Sequence, residues 1–448
     1  MIYGILDGMV MQRGGDNTCE IWLKSDEQIN NISTNDGQQA RIERCGQEYK
    51  ITGILCGGPY VINIDGHLFN NIYVGDVWLL AGQSNMQGCG RDTDIEYNSN
   101  PCIRAFYMNN EWKIANNPLH EPGRAFYQVH TAELKAKVGF SKGNVGPGLY
   151  FAKRMYDLTS VPQGIICCAH ADTSLEQWNP DRMADGPDKS LYAAMIERVK
   201  INGFNIKGLF WAQGCNDSKI TCFENYTKNT VYLFKRIRED VRSCIPIVYM
   251  QLSRCLYSGE SDVIRADTWN SVQEQQRVLH RYINNIDVIP TSACKLTDRY
   301  HLSAEAHKAF GKSAAESMFC LINGMLYGCL TSIKLESVEY YADENSPNEL
   351  STIILTYKNV KGELNGGVRP LGFSVSENCS GEFYENIISC ETSGNRVNIL
   401  VGVPADKLKK MYLSYGKGFN PPCNIVDKEQ RSLPVFGHFL INEIGNRI

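Results

Sequence analysis

The sequence contains no run approaching the ~18 consecutive apolar residues that a membrane-spanning helix requires, which excludes a helical membrane protein. It has no surplus of either charge: 45 Lys and Arg stand against 49 Asp and Glu, for a formal net charge of −4. That balance leaves no basic footprint for nucleic acid and no polybasic patch for an anionic membrane surface. There is no C-x-x-C among the 17 cysteines, so zinc-ribbon and thioredoxin-like readings find no support. No His, Cys or carboxylate cluster shows metal-ligand spacing, and neither a metal nor another cofactor is expected. Internal repeats and low-complexity tracts are missing too. The opening "MIYGILDGMVMQRGG" lacks a basic stretch followed by a long apolar core, and does not read as a signal peptide.

What is present is a chain of 448 residues, 43% hydrophobic, long enough at ~150 residues per domain for about three domains. Many cysteines lie inside apolar runs, such as Cys167 and Cys168 in "GIICCAH", where a free thiol behaves as a small hydrophobe. An odd number of thiols in a secreted protein would risk mispairing, so a reducing, cytoplasmic setting is expected.

Three stretches differ in pattern. Residues 1–73 read as an all-β domain, with short β-rich runs ("CEIWLK", "ARIERC", "YVINID") between Gly, Asn and Asp clusters. From "GDVWLLAG" onward, over residues 74–330, apolar runs alternate with amphipathic helical stretches. This predicts an α/β core in which a parallel sheet is covered on both faces. Pro147 suits the first position of a helix over "GLYFAKRMYDL". Residues 331–448 return to β patterns ("STIILTYK", "NRVNILVGV") and read as a second all-β domain. Both β-domains are expected to pack on the core as accessories, without one continuous sheet across residue 74.

In an open parallel sheet, chemistry gathers at the carboxyl ends of the strands. Four apolar runs end suitably: "LLAGQSN", "ICCAHADTS", "FWAQGCND" and "IPTSACKLTDRYH". Ser84 follows the first. Taken alone, it is as well explained by helix capping, and G-x-S-x-G is absent because Met86 takes the last position. Asp298 and His301 are spaced D-x-x-H just before a helix expected to start near Ser303. The carboxylate can then hold one imidazole nitrogen while the other faces outward as a base. In "WAQGCND", amides at a strand end could donate to a developing oxyanion beside the Ser84 N–H, or simply form a turn. Cys215 there reads as a buried structural thiol, and His307 as a packing residue. His170 could touch substrate. Trp178 is open between a sugar platform and an ordinary core residue.

Together, "GQSNM", then "QGCND" with its G-x-N-D, then D-x-x-H before a helix, resemble the SGNH hydrolases, and more closely the sialate O-acetylesterase family and the related carbohydrate esterases of family 6. "LDGMVMQR", "GPYVINIDG", "NIYVGDVWLLAGQSNM" and "YGKGFNPPCNIVDKEQRSLPVFGHF" extend the similarity over nearly the whole chain. The resemblance implies an SGNH-like three-layer α/β core flanked by β-domains, with Ser84 as nucleophile, His301 as base and Asp298 as the acid that orients it. Gln83, Asp172, Gln213 and Asn216 are candidates for oxyanion or substrate contacts. The family usually has Gly-Gly-Thr where this chain has Ala171-Asp172-Thr173, so a positive φ there would strain the backbone. It usually has an acidic residue where this chain has Cys215. The function implied is removal of O-acetyl groups from a carbohydrate, sialic acid foremost, through an acetyl-enzyme. The alternatives are an acetylxylan or other acetyl-polysaccharide esterase, and a non-catalytic glycan-binding protein with a decayed hydrolase core. The partner is an O-acetylated sugar or oligosaccharide, with no nucleic acid and no membrane. The sequence does not give the oligomeric state.

Overall fold

The computed structural model describes residues 2–91, 96–131, 144–256, 263–324, 328–377 and 386–446. Its centre is written in the alternation of "VWLLA". Val77, Leu79 and Ala81 pack into one apolar cluster, while Trp78 and Leu80 pack into another on the opposite face. The neighbouring strands divide the same way: Leu209 and Trp211 against Phe210 and Ala212, and Ile247 and Tyr249 against Val248 and Met250. A strand buried on both faces needs an apolar residue at every position, which is why these runs are continuous rather than alternating.

The strands order as Trp112–Ile114, Ile103–Phe106, Gln163–Cys167, His67–Gly82, Gly208–Ala212, Ile247–Met250 and Ile286–Ile289. All adjacent pairs are parallel except the first, where Trp112–Ile114 runs antiparallel to Ile103–Phe106. A one-turn helix, α1 (Ser84–Gln87), follows the central strand. Helices α2 (Gly148–Thr159) and α6 (Ala304–Asn323) cover one face, and α3 (Leu191–Lys200), α4 (Tyr226–Asp240) and α5 (Ala266–Val278) cover the other. Ser190 and Ser303 cap α3 and α6 by accepting the N–H of Ala193 and Ala306. Pro147 occupies the N-cap of α2, one residue ahead of the first helical position. This is the mixed α/β fold with a mostly parallel central sheet that the sequence pattern implied.

The boundary expected at residue 74 is overturned. Strand His67–Gly82 runs through it without a break, and its first half pairs with Gly57–Ile64 and Val10–Gln12 inside the same ten-stranded sheet. The N-terminal residues share a core with the α/β region, since Ile21, Ile51 and Ile62 belong to the same apolar cluster as Leu79 and Trp211. Arg13 adds a bidentate ion pair at 2.8 and 2.9 Å to Asp76, a carboxylate buried on the central strand. The composition shift near 74 records where the strand becomes buried on both faces, not where the fold divides.

The C-terminal strands form two antiparallel sheets, Lys334–Ala342, Ser351–Lys358, Arg396–Val401 and Ile387–Ser393 in one, and Phe373–Ser376, Tyr412–Tyr415 and Phe436–Leu440 in the other. They enclose a separate apolar cluster. Buried amides dock this unit on the core. Gln251 donates to Val435 O at 2.8 Å and accepts from Val435 N at 2.9 Å, while Asn270 donates to Gly416 O at 3.1 Å and accepts from Gly418 N at 2.7 Å. The described cysteines are all free thiols.

Candidate active site

The central strand ends at Gly82 because nothing larger fits. Its φ is +122°, and a Cβ there would lie 2.2 Å from Ala212 O. The chain then turns through Gln83 into α1, so that Ser84 opens a helix at the carboxyl end of the sheet. Its amide is one of the first-turn N–H groups for which the helix itself has no acceptor. Ser84 is buried at 3% exposure, as is His301 at 5%.

The D-x-x-H turn is closed locally. Asp298 Oδ1 accepts the N–H of Tyr300 at 3.1 Å and of His301 at 3.0 Å, and Oδ2 lies 2.8 Å from His301 Nδ1. Burial would raise this carboxyl, but the bonds from the imidazole and the two amides outweigh it and hold Asp298 below the usual carboxylate range. An ionised Asp298 fixes the proton on Nδ1 and leaves Nε2 as the basic nitrogen.

Asn85, next to Ser84, ties this turn to the end of the central strand. Its side chain donates to Tyr300 O at 3.3 Å and accepts the N–H of Leu302 at 3.0 Å, gripping the backbone on either side of His301. Ser84 and His301 are thereby held on one clamp. Among the described residues no hydrogen bond joins Ser84 Oγ directly to His301, so the expected chain is closed only in its Asp298–His301 half. Such contacts are often long before substrate binds.

The other candidates sort differently from their sequence reading. Gln213 is 1% exposed and commits both amide protons, to Thr173 O at 2.6 Å and to Asp217 Oδ2 at 2.7 Å. It is a clamp and has no proton left for an oxyanion, contrary to expectation. Gln83 is anchored through its oxygen, which accepts the N–H groups of Gly214 and Cys215, both at 2.9 Å. Asn216 and Asp172 do meet at the rim, where Asn216 Nδ2 donates to Asp172 Oδ1 at 3.0 Å. Asp172 has φ +61°, the left-handed conformation anticipated for a glycine, and Asp is among the few residues that tolerate it. Trp178 is fully buried, donates to Thr173 Oγ1 at 3.0 Å and packs edge-on against Trp211; it is a core residue and no sugar platform. His170 is buried with its Nδ1 at 3.1 Å from His130 Nδ1, and His307 is fully buried. Burial pushes the Cys215 thiol up, away from nucleophilic chemistry.

Two residues that hold the candidate site together escaped the sequence reading. Asn85 sat inside the quoted "GQSNM" but was passed over for the serine beside it. Asp217, the last residue of "QGCND", accepts Leu175 N at 2.7 Å as well as Gln213 Nε2, tying the 173–175 segment to the adjacent loop. Burial raises its carboxyl to about 6, partly offset by those two donors. Among the described residues no group of three or more His, Cys, Asp or Glu side chains is arranged to hold a metal ion.

Comparison with known proteins bears on the family and the fold. No curated protein matches the sequence. A carbohydrate acetylesterase from Xanthomonas citri superposes with a TM-score of 0.69 at 20% identity, over 97% of this chain and 98% of that one. A protein from Arabidopsis thaliana (24% identity, TM-score 0.43) and NanS (14% identity, TM-score 0.41) each align with 55% of this chain, and with 98% and 96% of their own. Residues 74–320, more than half of the chain, match the family model described as carbohydrate esterase, sialic acid-specific acetylesterase. The chain belongs to that family of carbohydrate esterases and is an ester hydrolase.

Proposed function

We propose that the protein removes O-acetyl groups from a carbohydrate through an acetyl-enzyme on Ser84, with sialic acid as the sugar. Ser84 Oγ attacks the acetyl carbonyl carbon while His301 Nε2 takes its proton. The tetrahedral oxyanion is held by the Ser84 N–H and by N–H donors at the Asp172–Asn216 rim. Collapse breaks the C–O bond to the sugar, and the imidazolium returns its proton to the departing oxygen. Water then attacks the acetyl-Ser84 carbonyl, giving up a proton to His301, and acetate leaves as Ser84 recovers its proton.

The observation that carries this reading is the Asn85 clamp, which binds the backbone on both sides of His301 from the residue next to Ser84. A decayed core would have no reason to keep an imidazole oriented by Asp298 and its backbone tied to the residue next to Ser84. The wealth of free thiols supports a reducing, cytoplasmic setting. The test is release of acetate from O-acetylated N-acetylneuraminic acids and from acetylated xylo-oligosaccharides, by the wild type and by Ser84→Ala. Release from the first panel, lost in the variant, supports the sialate assignment. Release from the second alone moves the substrate to a plant-type polysaccharide. Release from neither, or release that survives Ser84→Ala, ends the mechanism.

A further inference from the structure

The sugar-bearing side of the site follows from the direction of proton transfer. In the reaction proposed above, on which this inference rests, His301 hands its proton to the departing sugar oxygen. The sugar must therefore sit against the imidazole, with the acetyl group turned toward the Ser84 N–H. The ring found beside the imidazole is Tyr300. Its centroid is 4.5 Å from that of His301, at an interplanar angle of 65°. Tyr300 is 40% exposed although its backbone is pinned at both ends, N–H to Asp298 Oδ1 and carbonyl to Asn85 Nδ2.

An exposed aromatic on a pinned backbone loses little freedom when a ligand covers it. Leu256, 42% exposed, is tied to the residue before Tyr300, its N–H donating to Arg299 O at 2.6 Å. The preceding residue, Cys255, donates to Phe419 O at 2.7 Å, so the C-terminal unit buttresses this rim. Burial, and after it the charge of Asp298, pushes the Tyr300 phenol up.

We propose that Tyr300 is the platform on which the pyranose of the substrate stacks, its apolar C–H face on the phenol ring and Leu256 extending the contact. Tyr300 then sets the preference for sugar acetates over small acetates, and touches substrate without entering the proton relay.

The test compares kcat and KM for vinyl acetate, whose leaving group is too small to cover the ring, with those for O-acetylated N-acetylneuraminic acid and acetylated xylo-oligosaccharides. In Tyr300→Ala, the ratio of sugar-ester to vinyl-ester kcat/KM should fall tenfold or more, chiefly through KM. Tyr300→Phe and Tyr300→Trp should keep that ratio within threefold of the wild type. Tyr300→Leu, which keeps bulk but offers no flat face, should behave like Tyr300→Ala and serves if the alanine variant does not fold. Equal losses on both kinds of ester, or failure of Phe and Trp to restore the ratio, overturn the platform alone. Vinyl-acetate turnover that survives Ser84→Ala overturns the acetyl-enzyme mechanism, and the platform with it.

Discussion

Replacing Asn85 with alanine tests whether the site is assembled by the clamp or merely decorated by it. The side chain makes two hydrogen bonds, to Tyr300 O and from Leu302 N, and Leu302 is fully buried. Truncation leaves the Leu302 N–H without an acceptor in a place water does not reach, which costs about 1–3 kcal/mol. The Tyr300 carbonyl lies on an exposed residue and can turn to solvent, so its loss adds little. Stability should therefore fall by about 2 kcal/mol, read as a lower denaturant midpoint at unchanged slope. The kinetic effect should be larger. His301 sits between the two released groups, and a displacement of roughly 1 Å at a catalytic base can cost ~10²-fold in rate, or about 2.7 kcal/mol of barrier at 1.36 kcal/mol per tenfold. We expect kcat on vinyl acetate to drop about 10²-fold with KM changed less than threefold. Asn85→Asp keeps the acceptor for Leu302 N–H but sets a carboxylate against Tyr300 O, and should fall between wild type and alanine. A folded Asn85→Ala protein with kcat within threefold of the wild type would show that the turn holds His301 in place unaided.

Other consequences are open to measurement. Ser84→Ala and His301→Ala should each lower turnover by roughly 10³-fold or more with little change in stability, while Asp298→Asn should cost less if a neighbouring carbonyl can also orient the ring; unequal losses for Ser84 and His301 would break the proposed relay. The Asp217 carboxyl is raised to about 6 in the folded protein against 3.8 unfolded, so its contribution is fully present below the unfolded value and lost as pH rises through about 6. Relative to Asp217→Asn, the wild type should gain up to about 3 kcal/mol between pH 7 and pH 4, and a pH-independent difference in unfolding free energy would contradict the raised carboxyl. At Asp172, whose φ is +61°, Asn and Gly should be tolerated within about 1 kcal/mol, whereas Val should cost about 2 kcal/mol or more from left-handed strain and the lost bond to Asn216; thermal unfolding that ranks Val with Gly would refute the strain.

How far the sequence could be read depended on whether a residue's partners were local. The α/β core was legible because burial on both sheet faces leaves continuous apolar runs, as in "VWLLA" and "GLFWA". The Asp298–His301 pair was legible because its geometry closes within one turn. Asn85 was not, since its partners lie 215 and 217 positions away and nothing near it in the chain records them. The boundary at 74 was misread for the opposite reason. The local signal was real, but it marked a change of environment halfway along a strand of 16 residues.

The two glutamines show what decides between a ligand contact and a clamp. A polar side chain at the end of a buried strand lies equally close to a substrate pocket and to the backbone of the neighbouring strand ends, and sequence cannot tell which it faces. Here the Gln83 oxygen holds the Gly214–Cys215 amides, and the Gln213 amide holds Thr173 O and the Asp217 carboxylate. Gln87, one turn after Ser84, accepts Ala171 N at 2.7 Å, and Trp178 donates to Thr173 Oγ1. The segment carrying Asp172 is thus fixed on either side by residues of the Ser84 turn and of the next strand end. That explains how this chain dispenses with the usual glycine pair. Neighbours that over-determine a left-handed residue can sustain a strain of order 1–3 kcal/mol, and Asp, whose own carboxylate is anchored by Asn216, is among the least costly non-glycine choices. The Asp172–Asn216 rim is therefore set by buried amides behind it, and its shape should survive changes at Asp172 better than changes at Gln87 or Gln213.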